Sequence, residues 1–290
     1  MGKSKIEWTE KVWNPVTGCT KVSDGCKYCY ADRMFPRVYG NTNFSDDGKN
    51  IRPRKFTDIK LHHDRIEQPL CWKKPSMIFV NSMSDLFHKD VPFEFIANIY
   101  DTMCLYPLVC RKKDCAHEEP ECLMDNSEQN HIYQILTKRP KRAKEFYDNM
   151  GYYSDPFEAL SLERMYGKFK NIWLGVSVEN QKTADERIPI LLQVPAKVRW
   201  LSVEPLLEPI DIKRGISKTF LDNIHWVVIG AESKGHYPGR ICKIEWIEYI
   251  VDQCKRANVP VFVKQIHLNN ELIKNINRFP RELQIREYPK

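Results

Sequence analysis

Six short apolar runs punctuate this chain, and most are separated by a stretch of helix length. The runs are SMIFVNS (76–82), HIYQILT (131–137), NIWLGVSV (171–178), KVRWLSV (197–203), IHWVVIG (224–230) and PVFVKQ (260–265). Each has the length of a buried strand and is rich in Val, Ile and aromatic residues. PFEFIANIYDTMCLY (92–106), KRAKEFYDNM (141–150), ADERIPILLQV (184–194) and KIEWIEYIVDQCKRAN (243–258) are amphipathic at helical spacing. Pro92 and Pro140 mark helix starts, and Asn258 with Pro260 closes the last helix. Such alternation builds βαβ units and a parallel sheet. With an irregular first strand around WNPVTGC (13–19), the expectation is an α/β fold. A complete or partial (β/α) barrel of six or seven parallel strands leads, and a doubly wound open sheet is the other arrangement. One domain is expected over 1–268, with an insertion at about 104–130 and a loosely structured tail over 269–290.

The bulk numbers narrow the class. With 290 residues, 42% hydrophobic and 29% charged, the chain can build a substantial core. No run of about 18 apolar residues is present, so no membrane span is expected. MGKSKIEWTEKVWNP lacks the apolar core of a signal peptide. Ten cysteines without a secretion signal point to a reducing, cytoplasmic setting. There, clustered thiols are more often metal ligands or catalytic groups than disulfides. The net charge of +7 is concentrated early: residues 1–75 hold fifteen Lys and Arg against nine Asp and Glu. A basic first quarter can meet a polyanion such as nucleic acid; a solvated basic surface accounts for it equally well.

The residues just past each strand are more informative than the strand itself. Asp85 follows the first run, Lys138 the second, Glu179 the third, Glu204 the fourth and Glu232 the fifth, while Lys264 lies in the sixth. Ligand chemistry in barrels and α/β sheets gathers at the C-terminal ends of strands. These six side chains are expected to outline a polar pocket, with Lys138, Glu232 and Lys264 on its substrate side. The plainer account is that charges mark where a buried strand reaches water.

The loop GCTKVSDGCKYCYADRM (18–34) carries Cys19, Cys26 and Cys29 in a polar setting. Two thiols make a disulfide, and four ligands close a structural zinc site. Three thiolates suit a four-iron cluster with one iron left open to a small molecule. Zinc is the alternative, with a fourth ligand from elsewhere such as His62, His63 or Cys71.

Three thiolates on a first βα loop above a partial barrel resemble the arrangement of radical S-adenosylmethionine (SAM) enzymes. Their usual spacing is C-x3-C-x2-C, whereas this one is C-x6-C-x2-C. KIEWTEKVWNPVTGCTKVSDGCKYCYADRM, ILTKRP, WLGVSVEN, RWLSVEPLL, VVIGAES and VFVKQ together resemble the phage-associated three-Cys-motif family, over roughly residues 4–267. That family is of unknown function and is regarded as radical-SAM-like. The resemblance implies a barrel of radical SAM type, a 4Fe-4S cluster on Cys19, Cys26 and Cys29, and SAM as cofactor. It also implies SAM contacts from Tyr28 at the adenine, Ser84 and Asp85 at the amino end, Ser177 and Glu179 at the ribose, and Glu204. A reductant such as flavodoxin or ferredoxin is an implied partner.

CLYPLVCRKKDCAHEEPEC (104–122) holds a second group, with Cys104, Cys110, Cys115, His117 and Cys122. Cys110, Cys115, His117 and Cys122 are enough for a tetrahedral zinc site that would fold a polar insertion. An auxiliary iron–sulfur cluster and unligated thiols are the other readings. Cys71 and Cys254 are expected to pack as small hydrophobes.

The expected activity is that of a radical SAM enzyme, which cleaves SAM reductively and abstracts hydrogen from a substrate. Phage association and the basic first quarter favour a nucleic acid base or nucleotide, in phage DNA or tRNA. A base in a duplex would have to be flipped out. Trp8, Trp13, Tyr28, Tyr30 and Phe35, with Arg33 and Arg37, could stack bases; packing of the barrel end is the other account of these aromatics. The alternative function is a zinc-stabilised, non-catalytic module that binds nucleic acid or protein.

Overall fold

The computed structural model describes residues 4, 6–45, 50–105, 131–150, 170–212, 223–234 and 237–289. Its centre is an eight-stranded sheet: β1 (Lys11–Trp13), β2 (Met77–Val80), β3 (Ile132–Thr137), β4 (Ile172–Ser177), β5 (Val198–Val203), β6 (Trp226–Gly230), β7 (Val261–Leu268) and β8 (Glu271–Ile273). The strands lie side by side in sequence order. Every neighbouring pair from β1 to β7 is parallel, and β8 turns back antiparallel on β7. Sequential order excludes the doubly wound arrangement, whose strand order reverses at a switch point. Among the described residues β1 and β8 do not pair, so of the expected complete or partial barrel no closed one is formed; the strands make a mostly parallel open sheet.

Among the described residues five helices accompany the sheet: α1 (Tyr30–Tyr39), α2 (Phe93–Leu105), α3 (Pro140–Asp148), α4 (Gln181–Leu191) and α5 (Ile244–Arg256). The last four fall within three residues of the amphipathic stretches. The start of α4 is fixed by a capping box. Thr183 N–H donates to Asn180 Oδ1 at 2.9 Å, and Asn180 N–H donates to Thr183 Oγ1 at 3.1 Å. Among the described residues no helix is long and apolar enough to cross a membrane.

Alternation along the strands sorts the core onto two faces. Ile78, Val80, Ile135, Leu174, Val176, Leu201, Val203, Ile229 and Val263 pack with the helices. Phe79, Trp173, Trp200, Trp226, Val228 and Phe262 point the other way and enclose Trp8. The Trp8 ring lies 4.8 Å from Phe79 and 6.1 Å from Trp226. Those partners sit on β2 and β6, four strand spacings or about 19 Å apart in a flat sheet. The sheet is therefore curled around Trp8, concave toward this aromatic cluster.

The C-terminal tail is tied down, contrary to the expectation of a loose cap. Asn269 and Asn270, at φ of 50° and 63°, form the two-residue turn from β7 into β8. Further on, Val263 N–H donates to Ile285 O and Glu287 N–H to Val261 O, so the tail covers the rest of the β7 edge. Tyr288 stacks on Trp226 at 5.4 Å.

Candidate active site

A cavity of about 1160 Å³, counted to its open mouth, lies at the C-terminal ends of the strands on the concave side. Cys19, Cys26 and Cys29 all line it, as do Tyr28, Ser84, Asp85, Ser177 and Glu204. Lys138, Glu232 and Lys264 complete the set of strand-end residues on its wall. Ile6, Trp8, Phe79 and Leu136 form its apolar part. Glu179 does not line the cavity; it is fully buried behind the cysteine loop.

Three strand-end carboxylates hold that loop, each through a cation or a hydroxyl. After β2, Asp85 accepts from Thr137 Oγ1 (2.8 Å), the backbone N–H groups of Phe87 and Lys138 (3.0 Å each) and Arg139 Nη1 (2.9 Å). Arg139, so oriented, donates to Thr20 O at 2.9 Å and Thr20 Oγ1 at 3.1 Å, and reaches Cys19 Sγ at 3.7 Å. After β4, Glu179 accepts from Ser23 Oγ (2.8 Å), Lys138 Nζ (2.5 Å) and Arg187 Nη1 (3.2 Å). After β6, Glu232 is bound by Arg240 at 2.5 and 2.9 Å, and Arg240 donates onward to Asp24 O at 2.8 Å. Ser84 contributes a further tie, donating to Val16 O at 2.9 Å.

The electrostatics follow from this pairing. Burial pushes the Glu179 carboxyl up, but Lys138 and Arg187 outweigh it and hold the group below the usual carboxylate range. Burial is likewise outweighed at Glu232, where the Arg240 hydrogen bonds lower the pKa. The thiols move the other way. Burial, with Asp85 nearby, pushes Cys19 up to about 11 against the pull of Arg139, and burial raises Cys29. Both thiols thus hold their protons until something displaces them, as metal binding does.

Cys19, Cys26 and Cys29 offer three free thiols, a donor type that holds iron–sulfur clusters and zinc alike. Among the described residues no three His, Cys, Asp or Glu side chains are grouped as they would be around one metal ion. The residues weighed as a fourth zinc ligand are elsewhere. His62 Nε2 is hydrogen-bonded to Thr17 Oγ1 at 2.8 Å, His63 packs edge-on against Phe95, and none of His62, His63 and Cys71 lines the cavity. Cys71 is exposed rather than packed, while Cys254 and Cys242 are buried. The group Cys110, Cys115, His117 and Cys122 lies outside the described residues.

Of the aromatics near the loop, Trp8, Trp13 and Phe35 are buried in the core, as the packing account requires. Tyr28 and Tyr30 reach the cavity wall, and Arg33 and Arg37 are exposed on α1. Sequence reasoning missed Arg139, Arg187 and Arg240, the cations that complete the three grips. Arg139 had a signal, standing next to Lys138 at a strand end; Arg240 had none. It also missed Asn81 on the wall. The Asn81 Nδ2 and Trp8 Nε1 donors are buried there and find no acceptor among the described residues.

Fold and site together define an α/β protein with a thiol-lined cavity at the C-terminal rim of a mostly parallel sheet. The chain belongs to the family described as protein of unknown function (DUF5131), whose model matches residues 3–109 and 121–287. The match omits 110–120, which contains Cys110, Cys115 and His117 but not Cys122. No curated protein and no solved structure matches the chain.

Proposed function

We propose that this protein is a radical SAM enzyme acting on a nucleic acid base or nucleotide, with an open (β/α) barrel of that type. The observation that carries the reading is the placement of Cys19, Cys26 and Cys29 together in the lining of a cavity at the strand ends. Cys19, Cys26 and Cys29 would hold the 4Fe-4S cluster. When bound, it supplies the single electron that cleaves SAM and so starts hydrogen abstraction. The chain's own part is positioning. Asp85, Glu179 and Glu232 fix the loop through Arg139, Ser23 and Arg240. Arg139 places a cation beside Cys19, which favours its thiolate as a ligand. Trp8, Phe79 and Leu136 keep one side of the cavity apolar, which limits water near reactive species.

The basic first quarter and the exposed Arg33 and Arg37 beside the mouth support a polyanionic substrate. Phage association and a flavodoxin or ferredoxin as reductant belong to the same proposal, as does zinc at the Cys110–Cys122 group. The test is iron, sulfide and zinc per chain on anaerobically purified protein, with SAM cleavage under dithionite. About four irons are expected, lost when Cys19, Cys26 or Cys29 becomes Ala and retained when Cys242 does. Zinc alone, with no iron after reconstitution, would refute the reading and favour the non-catalytic binding module.

A further inference from the structure

Three carboxylates at the rim grip the cysteine loop; Glu204 does not. It follows β5 and lies across β6 to reach Lys264 on β7, with Oε1 2.6 Å from Nζ. Two strand spacings, about 10 Å, separate β5 from β7. The side chain crosses them over Gly230, where a Cβ would stand 3.1 Å from the Glu204 carboxyl carbon. Any larger residue at 230 would crowd the pair. Both side chains line the cavity and are partly buried, Lys264 at 18% and Glu204 at 22% exposure. Burial opposes the Lys264 charge, yet Glu204 keeps it protonated to higher pH than usual.

A partly buried ion pair adds little to stability, because desolvation and solvent screening offset much of the attraction. This one anchors no loop, so its place in the wall calls for a ligand. The pair is neutral overall. A lone anion or cation would leave one partner buried and uncompensated, whereas a neutral group with a donor beside an acceptor can bond to both. Glu204 Oε2 can accept and Lys264 Nζ can donate. The cavity wall adds apolar surface from Trp8 and Phe79.

We infer that Glu204 and Lys264 bind the hydrogen-bonding edge of a nucleobase, a deepening that rests on the nucleic-acid reading above. Every base presents a donor next to an acceptor on its Watson–Crick edge and a flat face for an apolar wall. The test is equilibrium dialysis of the anaerobically purified full-length chain against GMP, TMP, CMP and AMP, with methionine as a zwitterionic competitor. Wild type, Glu204→Gln, Lys264→Met and the double variant are compared. At least one nucleotide is expected to bind. Each single substitution should weaken it roughly tenfold or more, the effect of losing one hydrogen bond to a charged group. The double variant should melt within a few degrees of wild type, since a neutral pair of similar size replaces the ions. No nucleotide binding, binding unchanged in the variants, displacement by methionine, or loss of SAM affinity with nucleotides still bound would each overturn the inference. A collapse of the double variant's melting temperature would mark the pair as structural and overturn it too. Iron content and SAM cleavage on the same preparations separate the two claims. Nucleotide binding without iron leaves this inference standing and sinks the radical reading; iron and cleavage without nucleotide binding do the reverse.

Discussion

Glu179→Gln changes one charge and almost no volume, so it isolates the central grip on the cysteine loop. The carboxylate is fully buried and shared by Lys138 at 2.5 Å, Arg187 at 3.2 Å and Ser23 at 2.8 Å. Breaking a buried charge pair from one side costs about 3–5 kcal/mol. Two features favour the lower end. The Lys138 side chain is 20% exposed and can turn toward water. Arg187 keeps its bond to Ser177 O at 2.7 Å. A loss of about 3 kcal/mol is therefore expected, and at about 2 °C per kcal/mol for a chain this long the melting temperature should fall by about 6 °C. Adding Lys138→Met removes the cation left behind and should restore about 1 kcal/mol. Thermal and urea unfolding of the two variants and wild type give both numbers. Iron per chain should drop in Glu179→Gln, because Ser23 and Gly25 lose their backing. A destabilisation below about 1 kcal/mol with iron unchanged would refute the idea that Glu179 anchors the loop.

Gly25→Ala tests the same contact from the loop side. The new Cβ would meet Glu179 Cγ at 2.4 Å and Oε1 at 2.5 Å, and Glu179 is too well held to move. A loss of about 1–3 kcal/mol is expected by urea unfolding, and an unchanged midpoint would show that the loop has slack. Acid should weaken the fold in two stages, read by urea unfolding across pH. Burial lowers the pKa of His62, to about 4, and of His88, His225 and His267 from 6.5, so the unfolded chain takes up protons first and stability falls as pH drops below 6.5. Glu179 and Glu232 are held below 4.5 and Asp58 below 3.8 by their cations, so a second decline sets in below about pH 4.5. A plateau from pH 7 to 5 would contradict the first stage.

The strands were legible in the sequence because their burial is extreme. IWLGVS is buried at every position, and a run that apolar admits few other structures. The rim charges were legible as a rim, since a buried parallel strand must end where polar groups begin. Their partners were not. The resemblance implies Glu179 as a ribose ligand, but it lies beneath Gly25 and holds Ser23 of the loop. Arg187 and Arg240 each stand eight residues past the carboxylate they bind, a spacing that no single helix or strand spans at either place, so periodicity gave no signal. The α1 helix escaped notice for a different reason. Its apolar residues Met34 and Val38 face outward at 46% and 51% exposure and Tyr30 turns to the cavity wall, while Ala31 and Phe35 turn in, and Pro36 interrupts the pattern. The β7–β8 hairpin did carry a signal, Asn269–Asn270 between two apolar runs, which asparagine's tolerance of positive φ explains.

The grips on the cysteine loop come from residues scattered along the chain, and that has a consequence for synthesis. Arg240 follows Cys29 by 211 residues. At about 5–20 residues per second, translation needs roughly 10–40 s to cover that distance. Throughout that interval the three thiols are already part of the chain while the arginine that ties their loop to β6 has yet to be made. The loop is among the first segments born and among the last to be fixed, so whatever protects or fills it must reach it while the nascent chain is still incomplete or wait for the finished sheet.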